Sequence, residues 1–112
     1  MIQYKIFATF DNIIAFTSTK TSLTTSNPRF TGERPEHFDK ARKQLAHKLG
    51  LHANKFVFPR QTHTNCVADI SGIPVNEINE TDALVSNKVG ICLCIQTADC
   101  VPILLFDPVK KV

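Results

Sequence analysis

Two short stretches of this sequence carry residue types that can do chemistry. The first is Arg60-Gln61-Thr62-His63, directly after Pro59. A histidine at the end of a short strand is well placed for a cleft, and neutral imidazole binds a metal or accepts a proton. A hydrogen-bonded histidine closing a turn fits the same residues. The second stretch is Gln96-Thr97-Ala98-Asp99-Cys100-Val101-Pro102, which interrupts two apolar runs with polar groups. Unpaired polar groups are costly inside a sheet, so a bend is expected here, with Pro102 helping to fix it. Such a bend would present the Cys100 thiol, which serves as nucleophile or metal ligand once its pKa is lowered. Asp99 beside it raises that pKa, so a metal or an imidazolium must do the lowering. The competing reading of Cys100 is a small buried hydrophobe.

His63 and Cys100 are far apart in sequence, so only the fold can join them. Joined, they fit a Cys–His nucleophile and base, or two of the three protein ligands of a catalytic zinc. A third ligand is hard to find. His37 and His47 fall off the apolar stripe of a helix and are expected to face solvent; His52 lies in the connection after it. The zinc site therefore reads as one ligand short. Cys92 and Cys94 stand at i and i+2, on one face of a strand. Without a second such pair they are expected to be core packing. Cys66 carries a weaker signal still.

The elements that must position these groups follow from the apolar pattern. Ile2 to Thr9 and Ile13 to Thr19 are rich in branched and aromatic residues and flank Asp11-Asn12, which predicts a hairpin. Thr17 to Thr31 turns polar and reads as a long loop, either functional or a plain surface excursion. Pro35 to Leu49 predicts a helix. Pro35 suits its first turn, Phe38, Ala41, Leu45 and Leu49 form one stripe, and Gly50 stops it. Short strands are expected at Phe56 to Pro59, Thr64 to Ile70, Ala83 to Ser86, Ile91 to Thr97 and Val101 to Phe106, with Ser71 to Thr81 a turn-rich connection. After the Asp107-Pro108 turn, Val109 to Val112 reads as extended again. The sum is an α+β class, with mixed β-sheet layers and a flanking helix. The apolar β segment at the end of the sequence leaves a sheet edge that needs a cover, so self-association through it is expected.

Composition narrows the class further. The chain has 112 residues, 43% of them apolar and 21% charged, which suits one domain over residues 1–112. A net charge of +3 is too small to argue for nucleic acid. No apolar run is long enough to span a bilayer, and Met1 to Phe10 lacks the features of a signal peptide. A cytoplasmic location with four free thiols is the expectation.

Beyond spacing, the residues resemble a known family. Gln61-Thr62-His63, then Thr81-Asp82-Ala83-Leu84-Val85-Ser86, then Thr97-Ala98-Asp99-Cys100-Val101-Pro102 through Asp107-Pro108 resemble the polyphenol oxidase/laccase-domain family. That family is also described as purine nucleoside phosphorylases with adenosine deaminase activity. Phe16-Thr17-Ser18-Thr19-Lys20 looks like its N-terminal phenylalanine-serine-threonine-arginine element, with Lys20 where Arg is usual. Lysine keeps the charge but loses bidentate phosphate binding.

The resemblance implies a zinc site made of a His, a Cys and a second His. His63 and Cys100 match the first two. The third belongs to a His-Ala-Gly-Trp-Arg-Gly element that this sequence does not contain, so the chain reads as the N-terminal part of a longer domain, an incomplete portion of a larger α/β sandwich. The implied partners are purine nucleosides and phosphate. Lys20 or Arg60 would hold an anion, Asp82 a ribose hydroxyl, and Gln61 would orient His63 or touch substrate; Asp99 or Gln61 would support the metal ligands. Zinc would bring the pKa of a bound water down towards about 7. The piece alone is expected to be poorly active. Three other functions stay open: a copper-dependent phenol oxidase, a non-catalytic remnant or edge-pairing module, and a Cys–His hydrolase.

Overall fold

The computed structural model describes residues 1–24 and 28–112. Part of the expected Thr17 to Thr31 loop, residues 25–27, lies outside the described residues. The chain divides into two compact units, Met1–Leu51 and His52–Val112. The architecture is α+β: one α-helix with small antiparallel and parallel strand pairings among the described residues. No described helix is long and apolar enough to cross a membrane.

In the first unit, β1 (Ile2–Gln3) pairs antiparallel with β2 (Phe16–Thr17), Ile2 opposite Thr17 and Gln3 opposite Phe16. The Tyr4 amide continues the ladder to the Ala15 carbonyl, and the Tyr4 hydroxyl meets Thr17 Oγ1 at 2.6 Å. The expected hairpin is thus present in pairing but much shorter. Phe7–Thr9 winds into a 3₁₀ turn instead of continuing the strand. Its bonds are local, with Phe7 N–H donating to Tyr4 and Phe10 N–H to Phe7. A local turn satisfies these amides where the ladder has run out.

The expected helix divides into a 3₁₀ turn at Pro35–His37 and α1 (Asp39–Leu49). Pro35 opens the turn, where its missing N–H costs nothing. Ala41, Leu45 and Ala46 are buried along one side of α1. Lys43 pairs with Asp39 one turn back, at 3.0 Å. Gly50 ends the helix at φ 67°, and Leu51 N–H then returns to the Ala46 carbonyl at 2.9 Å. That left-handed cap is the reason for glycine at this position. Arg42 lays its guanidinium 3.9 Å from the Phe38 ring and donates Nε–H to the Phe30 carbonyl at 2.7 Å.

His37 departs from the expectation of a solvent-facing side chain. It is half-buried, and its Nδ1 is sealed without a hydrogen-bond partner. Gly32 lies so close that a Cβ there would sit 2.7 Å from His37 Cβ. The close approach of that backbone is what covers the ring. His47 is exposed, as its place off the stripe predicts.

In the second unit β3 (Phe56–Val57) runs parallel to β6 (Cys92–Leu93), with Phe56 beside Cys92 and Val57 beside Leu93. β4 (Val67–Asp69) runs parallel to β5 (Ala83–Val85). Phe56, Val57 and Phe58 are buried, the two rings meeting edge to face at 6.2 Å. Pro59 is fully buried as well; having no N–H, it leaves no donor to satisfy there. A parallel bridge joins Pro59 to Ile78, and Arg60 N–H donates to the Ile78 carbonyl at 2.7 Å.

Two expectations for the last residues are corrected. Val101 to Phe106 forms no strand, and Val101, Ile103 and Leu105 are 85%, 74% and 86% exposed. Branched apolar residues favour a pleat only against a partner, and no described strand pairs with this segment. Val109 to Val112 is not extended either. A turn covers Pro108 to Lys111, with Asp107 and Val112 exchanging backbone hydrogen bonds and Lys111 at φ 55°. Asp107 Oδ1 accepts from the Val109 and Lys110 amides, which favours the turn over a strand.

Candidate functional site

The site is built in the second unit, from the loop after Pro59 and the bend after β6. The loop is Arg60 to Cys66, and the segment from Ile78 to Ala83 pins it at both ends. Thr81 N–H donates to the Arg60 carbonyl at 3.1 Å, and Asp82 N–H to the Cys66 carbonyl at 3.2 Å. Between those anchors the Asp82 carboxylate holds the backbone. Oδ1 accepts from the Thr62 and Thr64 amides at 3.1 and 2.9 Å, and from Thr64 Oγ1 at 3.1 Å. Oδ2 accepts from the His63 amide at 3.1 Å.

Three successive N–H groups converging on one anion form a nest. The nest needs a left-handed residue, and His63 supplies it at φ 61°. Histidine tolerates this region better than branched residues do. The bonds from the nest, that of Thr64 N–H foremost, hold the Asp82 carboxyl below its ordinary range. Asp82, read from the sequence as a ribose ligand, is here bonded to the backbone of the His63 loop. Thr64 was not singled out by the sequence; a hydroxyl one residue after the histidine was its only signal. Its Oγ1 also donates to the Glu80 carbonyl and accepts from the Cys66 amide.

Gln61 joins this loop to the second stretch. Its Nε2 donates to the Gln96 carbonyl at 2.9 Å, and its Oε1 accepts from the Gln96 amide at 2.7 Å. One side-chain amide thereby replaces a strand neighbour for Gln96, the residue before Thr97-Ala98-Asp99-Cys100. The two stretches that carry His63 and Cys100 are connected through this single residue. His63, Asp99 and Cys100 are all exposed.

The remaining candidates lie elsewhere. Lys20 is an exposed residue of the first unit, inside the Thr19–Ser22 turn closed by Ser22 N–H to the Thr19 carbonyl at 3.0 Å. His52 precedes a 3₁₀ turn at Ala53–Lys55 and is exposed. Arg60 and Cys66 are exposed too. Cys92 and Cys94 are half-buried instead of lying fully in the core. The described residues contain no group of three or more His, Cys, Asp or Glu that could hold a metal. His63 and Cys100 are two donors of the right chemistry for zinc, but they do not make a complete site by themselves.

Residues 17–112 match the family described as multi-copper polyphenol oxidoreductase laccase. The chain belongs to this family. Among curated relatives, a purine nucleoside phosphorylase of Corynebacterium glutamicum is 38% identical over 78 residues, covering 68% of this chain and 32% of the relative. Adenosine deaminase RL5, from an unknown prokaryotic organism, is 41% identical over 75 residues, 60% of this chain and 29% of the relative. A purine nucleoside phosphorylase of Bacteroides thetaiotaomicron is 25% identical over 122 residues, 96% of this chain and 45% of the relative. The chain thus spans between 29% and 45% of the length of these relatives. No solved structure gives a significant match.

Proposed function

We propose that the protein acts on purine nucleosides, by phosphorolysis or deamination, with His63 and Cys100 among the ligands of a zinc ion. The observation that carries this reading is the Gln61–Gln96 clamp. It ties the Gln-Thr-His loop to the Thr-Ala-Asp-Cys bend, two stretches far apart in sequence. The names of the curated relatives supply the substrate class. A third protein ligand would come from outside the described residues.

Each residue of the site has a role in this reading. Asp82 fixes the turn that presents His63, and Gln61 fixes the approach to Cys100. Asp99 adjoins the thiol and supports the charge of the site. Lys20 lies in the first unit, and a phosphate role for it rests on the family resemblance alone. The copper-dependent oxidase is the second reading, and the family's own description favours it.

The test is metal content per chain together with inosine phosphorolysis and adenosine deamination. It uses wild type, His63→Ala and Cys100→Ser in the family-length protein. Both variants are expected to lose zinc and at least about 100-fold in kcat/KM, since losses of mere supporting groups already cost about 10–100-fold. The isolated 112 residues are expected to be poorly active. Full nucleoside turnover by the isolated chain overturns that last expectation; zinc and turnover unchanged in both variants, or stoichiometric copper with phenol oxidation, overturns the reading.

A further inference from the structure

The Cys92 and Cys94 thiols face each other on β6 and its continuation, and neither has been given a role above. The Cys94 sulfur lies 3.8 Å from the Cys92 sulfur and 3.4 Å from the Cys92 carbonyl oxygen. The backbone beneath them is fixed. Cys92 pairs with Phe56, and Cys94 N–H donates to the carbonyl of the buried Val57 at 2.9 Å. Both side chains are half-buried, so they are neither lost in a core nor loose on a surface.

The separation fits one use of a dithiol without movement. A disulfide requires about 2.05 Å between sulfurs, which would draw these two together across nearly half of the gap. Two sulfurs bound to one tetrahedral zinc at about 2.3 Å stand roughly 3.8 Å apart. The observed 3.8 Å already matches the second. Thiolates are also the ligands that select soft cations such as Cu(I), alongside zinc.

We propose that Cys92 and Cys94 form a two-thiolate clip for a thiophilic d10 cation of the zinc class, separate from the His63 and Cys100 pair. The clip supplies half of a tetrahedral shell. Cation binding displaces the thiol protons to solvent and forms two metal–sulfur bonds, with no change of oxidation state.

The test uses a Cys66→Ser, Cys100→Ser background, so that only the clip thiols remain. Cd(II) serves as probe, through its thiolate charge-transfer band in the ultraviolet. One cadmium per chain is expected, displaced by added zinc. Cys92→Ser or Cys94→Ser should weaken binding by at least roughly 100-fold, more than losing a supporting group does. In unsubstituted protein, zinc should also protect Cys92 and Cys94 from alkylation, as read by peptide mass spectrometry. That second readout stands if a variant fails to fold. Full thiol reactivity in excess zinc, or cadmium uptake unchanged in both single variants, overturns the proposal. Rapid formation of a Cys92–Cys94 disulfide under mild oxidant, without metal uptake by the reduced protein, also overturns it. None of these outcomes depends on the nucleoside reading, whose ligands are removed or left aside.

Discussion

His63 is an exposed side chain on a turn whose backbone the Asp82 carboxylate holds. Asp82 accepts the amides of Thr62, His63 and Thr64, and the left-handed φ of His63 persists because those bonds over-determine it. Asp82→Asn keeps the shape but loses the charge that three N–H dipoles favour. Amide exchange at residues 62–64 is expected to quicken by at least about tenfold, measured by hydrogen exchange, with the rest of the unit less affected. The pH dependence has a definite sign. The Asp82 carboxyl is lowered in the fold from its ordinary 3.8. Its contribution is therefore fully present above about pH 4 and is lost as pH falls through the folded value. Protection of the Thr62 to Thr64 amides, taken relative to their intrinsic exchange at each pH, should fall on acidification below that point and stay level from pH 5 to 8. Gln61→Ala removes two hydrogen bonds to the Gln96 backbone. About 1–2 kcal/mol of stability is expected to go with them, measured by urea unfolding. Gln61→Glu should keep only the bond that its side-chain oxygen accepts from the Gln96 amide.

At the scale of elements, α1 is held by its buried stripe and its left-handed cap. Leu45 is buried on that stripe, and Leu45→Ala is expected to cost about 2–4 kcal/mol by chemical denaturation. Gly50→Ala meets no neighbouring atom, so any loss is backbone strain at φ 67° alone. The expected cost is about 1 kcal/mol, visible as a lower thermal midpoint with unchanged helix content at low temperature. The β elements are different in kind. Pairings of two or three residues between distant segments gain little from local propensity, and each depends on its partner being present.

For the whole chain, the feature to test in solution is the exposed apolar run Val101 to Leu105. A contiguous apolar surface of this kind promotes association. Sedimentation velocity of the 112 residues is expected to show concentration-dependent self-association, suppressed by Ile103→Lys with Leu105→Lys. A monomer at all concentrations for both proteins would remove this segment as the contact. The net charge of +3 offers only weak repulsion against it.

The helix with its glycine stop, the α+β class and the family were all legible in the residues themselves. Helix periodicity and capping act within a few residues, so sequence alone carries them. The Gln-Thr-His and Ala-Asp-Cys blocks carry the family for the same reason: they are contiguous. What the tertiary structure decided is everything that depends on a distant partner. Val101 to Phe106 has the composition of a strand and forms none, because a strand needs a neighbour. Ile2 to Thr9 keeps only two paired residues and winds the rest into a turn. Cys92 and Cys94 were readable as a spacing, but only packing along β3 and β6 fixed how far apart their sulfurs stand. That the Asp82 oxygens take three amides of a distant loop was decided only by the fold. Local preference is written in the sequence; the neighbours that satisfy or refuse it are chosen only when remote segments meet.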